Sequence, residues 1–156
     1  MWRQRGRPLR IPTPGKNRRI AVFGAYRWPD GPFRFSYGHK QVNTHVFLGL
    51  LPRLARRVHR TGKRIVLVLD NGSALTSRRS KDALRGARSW LQIFWLPRYS
   101  SEQLNDIEAL WQHLEADYFS RMLVTNPADF VPEAVRFLRT LERDGTLRRV
   151  LKPGRP

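Results

Sequence analysis

The period of the apolar positions changes several times along the chain, and each change predicts an element. RIAVFGAYRW (19–28) is rich in apolar and aromatic residues and reads as a strand. WPDGP supplies turn residues, and FRFSY (33–37) alternates like an antiparallel partner, so a β-hairpin is expected. From Asn43 the spacing becomes helical: Val46, Phe47, Leu50, Leu51, Leu54 and Val58 form one stripe, which Gly62 ends. IVLVL (65–69) is short and uninterrupted, as for a strand covered on both sides, and LQIFWLP (91–97) reads as a second buried strand stopped by Pro97. Between them, Thr76 to Arg88 fits one short basic helix begun from a Ser/Thr cap. Leu104, Ile107, Leu110, Trp111, Leu114 and Tyr118 mark a further helix, and Phe130, Val131, Ala134, Val135, Leu138 and Leu141 a last one. The order strand, strand, helix, strand, helix, strand, helix, helix predicts a mixed α/β domain.

Charge changes this picture most. The 156 residues hold 30 Lys+Arg against 12 Asp+Glu, a formal charge of +18, which points to a polyanionic partner. Residues 1–18 combine Arg3, Arg5, Arg7, Arg10, Lys16 and Arg18 with three prolines and no acid, and read either as a basic extended arm or as a disordered basic end, each able to track phosphates. With Arg19, and with Arg56 and Arg60 of the first helix, these are the candidate phosphate contacts. Cysteine is absent, which excludes disulfides and thiolate metal sites. No apolar run approaches membrane-spanning length and MWRQRGRPLR lacks a signal-peptide core, so no membrane partner and a cytoplasmic, nucleoid-associated location are expected. PGKN is not a phosphate loop, since Arg10 and Asn17 stand where that pattern needs Gly and Ser or Thr. The four histidines, 39, 45, 59 and 113, show no partner for nucleophilic hydrolysis.

So few acids can be placed one by one. Most fall in turns or on helical surfaces; Asp30 lies in the WPDGP turn. Asp70 differs because it closes IVLVL. It is either the start of an Asp-Asn-Gly turn or a catalytic acid, because ligand sites in open α/β sheets lie beyond the carboxyl ends of strands. Glu108 lies near the start of a helix beginning near Glu102, where Asn105, Glu108 and Gln112 share a face. It is either a charge complementing that helix end or the second acid of a Mg²⁺ or Mn²⁺ site, since hard cations take carboxylate oxygens.

VLDNGSALTS, followed by FWLPRYSSEQLNDIEALWQHLEADYF, closely resembles the catalytic core of mariner-type DDE/D transposases, specifically their bacterial insertion-sequence branch. The matching blocks are Asp70-Asn71, Leu96-Pro97, Tyr99-Ser100, Leu104-Asn105, Ile107-Glu108 and Trp111, with a family-like spacing between the acids. The resemblance implies a ribonuclease-H-like mixed sheet with flanking helices. It also implies DNA as partner, and metal-dependent phosphodiester cleavage and strand transfer. Asp70 and Glu108 would be the catalytic acids holding Mg²⁺ (or Mn²⁺), with Asn71 and Asn105 orienting the loop or phosphate. Ala74 stands where the family often has His. The family's first catalytic Asp lies on the first central strand, upstream of the segment matching Met1 to Arg10. The expectation is therefore a partial catalytic domain over 19–142 that lacks this strand, between the arm and a basic tail over 143–156. Such a truncated or split form would be inactive alone. An upstream transposase polypeptide would supply the missing Asp and a DNA-recognition domain, and a homodimer is compatible with the reading. Charge alone supports the alternative of a non-catalytic basic nucleic-acid-binding protein.

Overall fold

A computed structural model describes residues 19–28, 31–97, 105–122, 124 and 126–144. The hairpin forms where alternation predicts it. Strands β1 (Ile20–Tyr26) and β2 (Phe33–His39) pair antiparallel from Ile20↔His39 to Tyr26↔Phe33. Bonds from Gly31 N–H to Arg27 O (2.6 Å) and Arg27 N–H to Pro32 O (3.3 Å) close the connection.

The stripe after Asn43 is two helices, α1 (Thr44–Leu48) and α2 (Leu51–Thr61), where one was expected. Pro52 has no N–H to donate back to Leu48, so the ladder breaks and restarts with the proline in its first turn. Asn43 caps α1 by accepting from Val46 N–H at 3.1 Å. Gly62 closes α2 as expected, in the left-handed region at φ 66°, its N–H donating to Val58 O at 2.8 Å.

Strands β3 (Ile65–Leu69) and β4 (Leu91–Trp95) pair parallel from Ile65↔Leu91 to Leu69↔Trp95. The basic crossover between them is again two helices, α3 (Ser73–Thr76) and α4 (Arg78–Gly86), in place of the single one expected over 76–88. Ser77 is extended (φ −58°, ψ 153°) and caps α4 by accepting from Ser80 N–H, while the fully buried Ser80 hydroxyl donates to Ala74 O at 2.5 Å. This local serine network competes successfully with helix continuation.

Neither β3 nor β4 is covered on both sides. Ile65, Leu67, Leu69, Leu91 and Ile93 pack on Phe47, Leu51, Leu75 and Leu84, but the other face leaves Val66 62%, Val68 48% and Phe94 58% exposed. An apolar run cannot distinguish one buried face from two. The mixed α/β class expected is present, and where a mixed sheet lacking its first central strand was expected the described residues form two separate two-stranded sheets. Phe23 of β1 packs against the core of the parallel pair, its ring meeting Phe47 edge-on at 5.5 Å, and among the described residues no ladder joins β1 to β3.

The second layer covers the hairpin. Helix α5 (Asp106–Leu114) runs into a π-helical turn at Glu115–Phe119, and a 3₁₀ turn at Pro127–Asp129 leads into α6 (Phe130–Asp144). Helix α6 continues two residues past the expected boundary at 142. Leu110, Leu114, Val135, Leu138 and Leu141 pack against Phe33 and Phe35. Gly24 makes room for Trp111: a Cβ there would stand 2.6 Å from the indole. Among the described residues no helix is long and apolar enough to cross a membrane.

Candidate functional site

The loop after β3 is held by two hydrogen bonds. Asp70 Oδ1 accepts from Gly72 N–H at 2.9 Å, the local turn its position favours, which engages one carboxylate oxygen. Asn71 Nδ2 donates to Leu96 O at 2.7 Å, and Leu96 N–H donates to Leu69 O at 2.8 Å. The ends of both parallel strands are thereby tied together beneath Asp70. The turn reading of Asp70 is met by its bond to Gly72, and the residue follows directly on the last position of β3.

Glu108 enters from the other layer, in the first turn of α5, its N–H donating to Asn105 O at 2.9 Å. Burial, and after it the negative charge of Asp70, raises the Glu108 carboxyl above its ordinary value. The two carboxyl groups are therefore close enough to repel, although they lie on different layers and far apart in the chain. Among the described residues no third acid or histidine joins them in a metal-binding group. The Asn105 side chain makes no capping bond to α5. Glu102, from which the helix was expected to start, lies outside the described residues, as does Asp30.

Of the expected phosphate contacts, Arg3, Arg5, Arg7, Arg10, Lys16 and Arg18 lie outside the described residues. Arg19, Arg56 and Arg60 are exposed, with Arg56 Nε donating to Pro52 O within its own helix. Sequence reading passed over Arg57. Burial, followed by the charges of Arg27, Arg34 and Arg60, lowers its pKa, so four guanidinium groups converge where the hairpin meets α2. The available signal was the spacing of Arg53, Arg57 and Arg60 on one face of the helix. Arg53 and Arg34 share the carboxylate of Glu142, at 3.2 and 3.7 Å, which offsets one of their two charges. One histidine does have a carboxylate partner: His113 Nδ1 lies 3.0 Å from Asp117 on a solvated helical surface. No nucleophile is part of that pair.

Residues 1–127 match the family described as DDE superfamily endonuclease, a span that includes both acids. The chain is also similar to the insertion element IS630 uncharacterized 39 kDa protein of Shigella sonnei, 31% identical over 113 residues. That alignment covers 72% of this chain and 32% of the relative, so the chain spans about a third of the curated protein it matches. Among solved structures it is similar to a chain of the simian T-cell lymphotropic virus intasome in complex with PP2A regulatory subunit B56 gamma. The identity is 14% and the TM-score 0.42, covering 78% of this chain and 42% of that one.

Proposed function

The chain belongs to the DDE superfamily endonucleases, and from that premise we propose that it is part of the catalytic domain of a bacterial insertion-sequence transposase, acting on DNA. The observation that carries this reading is the pair Asp70 and Glu108, brought from separate layers to where one raises the pKa of the other in a chain of charge +18. Their oxygens suit a hard divalent cation that takes one or two carboxylates plus phosphate. Bound at this pair, Mg²⁺ or Mn²⁺ supplies the charge that activates water and stabilises phosphoryl oxygens. Asn71 positions Asp70 by anchoring its loop to β4, and Asn105 lies one turn from Glu108 on the same helix. The arginines of α2 and the basic arm hold the phosphate backbone.

In this reading the domain is ribonuclease-H-like and completed by further polypeptide. Among the described residues β1 and β3 are unjoined, and in this reading a strand supplied by further polypeptide would pair between them. Such a strand is where the resemblance places the remaining catalytic acid, so the described residues alone are expected to bind metal weakly and to leave DNA uncut.

The test has two stages. Mn²⁺ titration followed by electron paramagnetic resonance should show binding that Asp70→Asn and Glu108→Gln each abolish. Adding the upstream part of a full-length relative should then produce nicks in insertion-element ends with Mg²⁺. Metal binding that survives both substitutions would overturn the reading in favour of a non-catalytic basic nucleic-acid binder.

A further inference from the structure

A groove of about 500 Å³ lies between β4 and α4. Its floor is apolar, formed by Leu84, Leu91 and Ile93, and its walls carry Arg64, Lys81, Arg85 and Arg88, with Trp95 also lining it. We propose that this groove is a binding site for single-stranded nucleic acid, in which Trp95 stacks on an unpaired base while the surrounding cations hold the phosphates flanking it.

The charge balance is one-sided. Asp82 is the neighbouring acid, and it sits outside the lining, engaged with Arg85 at 3.0 Å in a solvated pair. Arg64 is held in place by donating from Nη2 to Arg88 O at 3.2 Å, which links the end of the loop before β3 to the end of α4. The groove therefore has Arg64 tied to the backbone at Arg88 and Arg85 paired with Asp82, while Lys81 completes its basic wall. Trp95 is 37% exposed at the last position of β4, although its strand neighbour Leu91 is 2% exposed. A large aromatic surface left open above an apolar floor and ringed by cations is the combination that captures unpaired bases irrespective of sequence. Duplex DNA offers only base edges in its grooves, so a stacking residue can engage it only where a base has left the helix. The volume is in the range of pockets that take a drug-sized molecule, which suits one or two nucleotides and not a double helix.

Position adds a functional consequence. Trp95 directly precedes Leu96, whose carbonyl accepts from Asn71 beside Asp70. The groove runs along β4 from Leu91 to Trp95, and only its Trp95 end lies at the carboxyl end of the parallel strands, where Asp70 follows β3, so a base stacked on Trp95 would lie on the acid-pair side. It does not depend on the metal reading, because none of its residues belongs to the acid pair.

The experiment measures the affinity of the whole chain for a short labelled oligothymidylate and for an abasic phosphodiester of the same length, across a salt series. One stacked base should make the oligothymidylate bind about tenfold tighter than the abasic strand. Trp95→Leu, which keeps an apolar side chain but cannot stack, should bring the ratio to about one, and Trp95→Phe should retain part of it. Arg88→Gln should weaken both ligands and lower the slope of log affinity against log salt by about one. A wild-type ratio near one, or a ratio that persists in Trp95→Leu, overturns the stacking role. An unchanged salt slope in Arg88→Gln overturns the phosphate role. Asp70→Asn with Glu108→Gln separates the two proposals: it removes Mn²⁺ binding and should leave the oligothymidylate ratio intact.

Discussion

Asn71 is the residue through which the loop carrying Asp70 is fixed, and removing its side chain has a calculable cost. Asn71→Ala deletes a 2.7 Å hydrogen bond to the carbonyl of Leu96, a residue only 7% exposed. A bond of this kind contributes about 0.5–1.5 kcal/mol net, and a buried acceptor left without a donor costs about 1–3 kcal/mol. Water can reach the exposed Asn71 side of the bond, so the loss should lie near the lower end, at about 1–2 kcal/mol. For a chain of this size that is a fall in melting temperature of roughly 2–8 °C. Asn71→Asp has the same shape but places a carboxylate against the carbonyl and beside Asp70, and should cost more, about 2–3 kcal/mol. Thermal unfolding followed by circular dichroism, in enough salt to screen the net charge, ranks the three proteins. The same samples titrated with Mn²⁺ should show weakened binding in Asn71→Ala, because Asp70 keeps its turn bond to Gly72 while its loop loses the anchor on β4. If Asn71→Asp melts at the wild-type temperature, the bond does not hold the loop and the positioning role fails.

Three further outcomes follow from the structure. Leu91→Ala should cost about 2–5 kcal/mol and Phe94→Ser less than about 0.5 kcal/mol, since these residues of one strand are 2% and 58% exposed; equal losses in urea unfolding would mean that both faces of the parallel pair are covered. Glu142→Ala leaves the half-buried Arg34 and Arg53 without their shared carboxylate, so about 1–3 kcal/mol should be lost, with partial recovery in Glu142→Gln; a neutral result would place the pair in free solvent. The raised pKa of Glu108 means that the folded chain keeps a proton the unfolded chain has released, so stability falls as pH rises from the ordinary carboxylate value through the raised one. Glu108→Gln lacks that loss and should gain on the wild type across this window in urea titrations at stepped pH, whereas a difference flat in pH would show Glu108 to be fully solvated.

Local chemistry was legible from the residues. The hairpin, the spans of both parallel strands and the end of α2 at Gly62 each depend on near neighbours: alternation, a turn cluster, a residue free to adopt positive φ. Helix continuity was less legible. Apolar spacing carries through Pro52 and Ser77 without interruption, while a missing donor at one and a competing hydroxyl at the other break the ladders. Arg57 escaped notice because its importance comes from Arg27 and Arg34, which belong to another element.

Composition and motif alone determined that the protein is basic, mixed α/β and equipped with an acid closing a strand and another opening a helix, because these are properties of contiguous residues. Tertiary structure decided that the charge of Asp70 reaches Glu108, that β3 and β4 bury only one side, and that the described strands pair as two sheets. Each of these is a relation between segments far apart in the chain. Periodicity records which face of an element is apolar, but what comes to lie against that face depends on how distant elements pack.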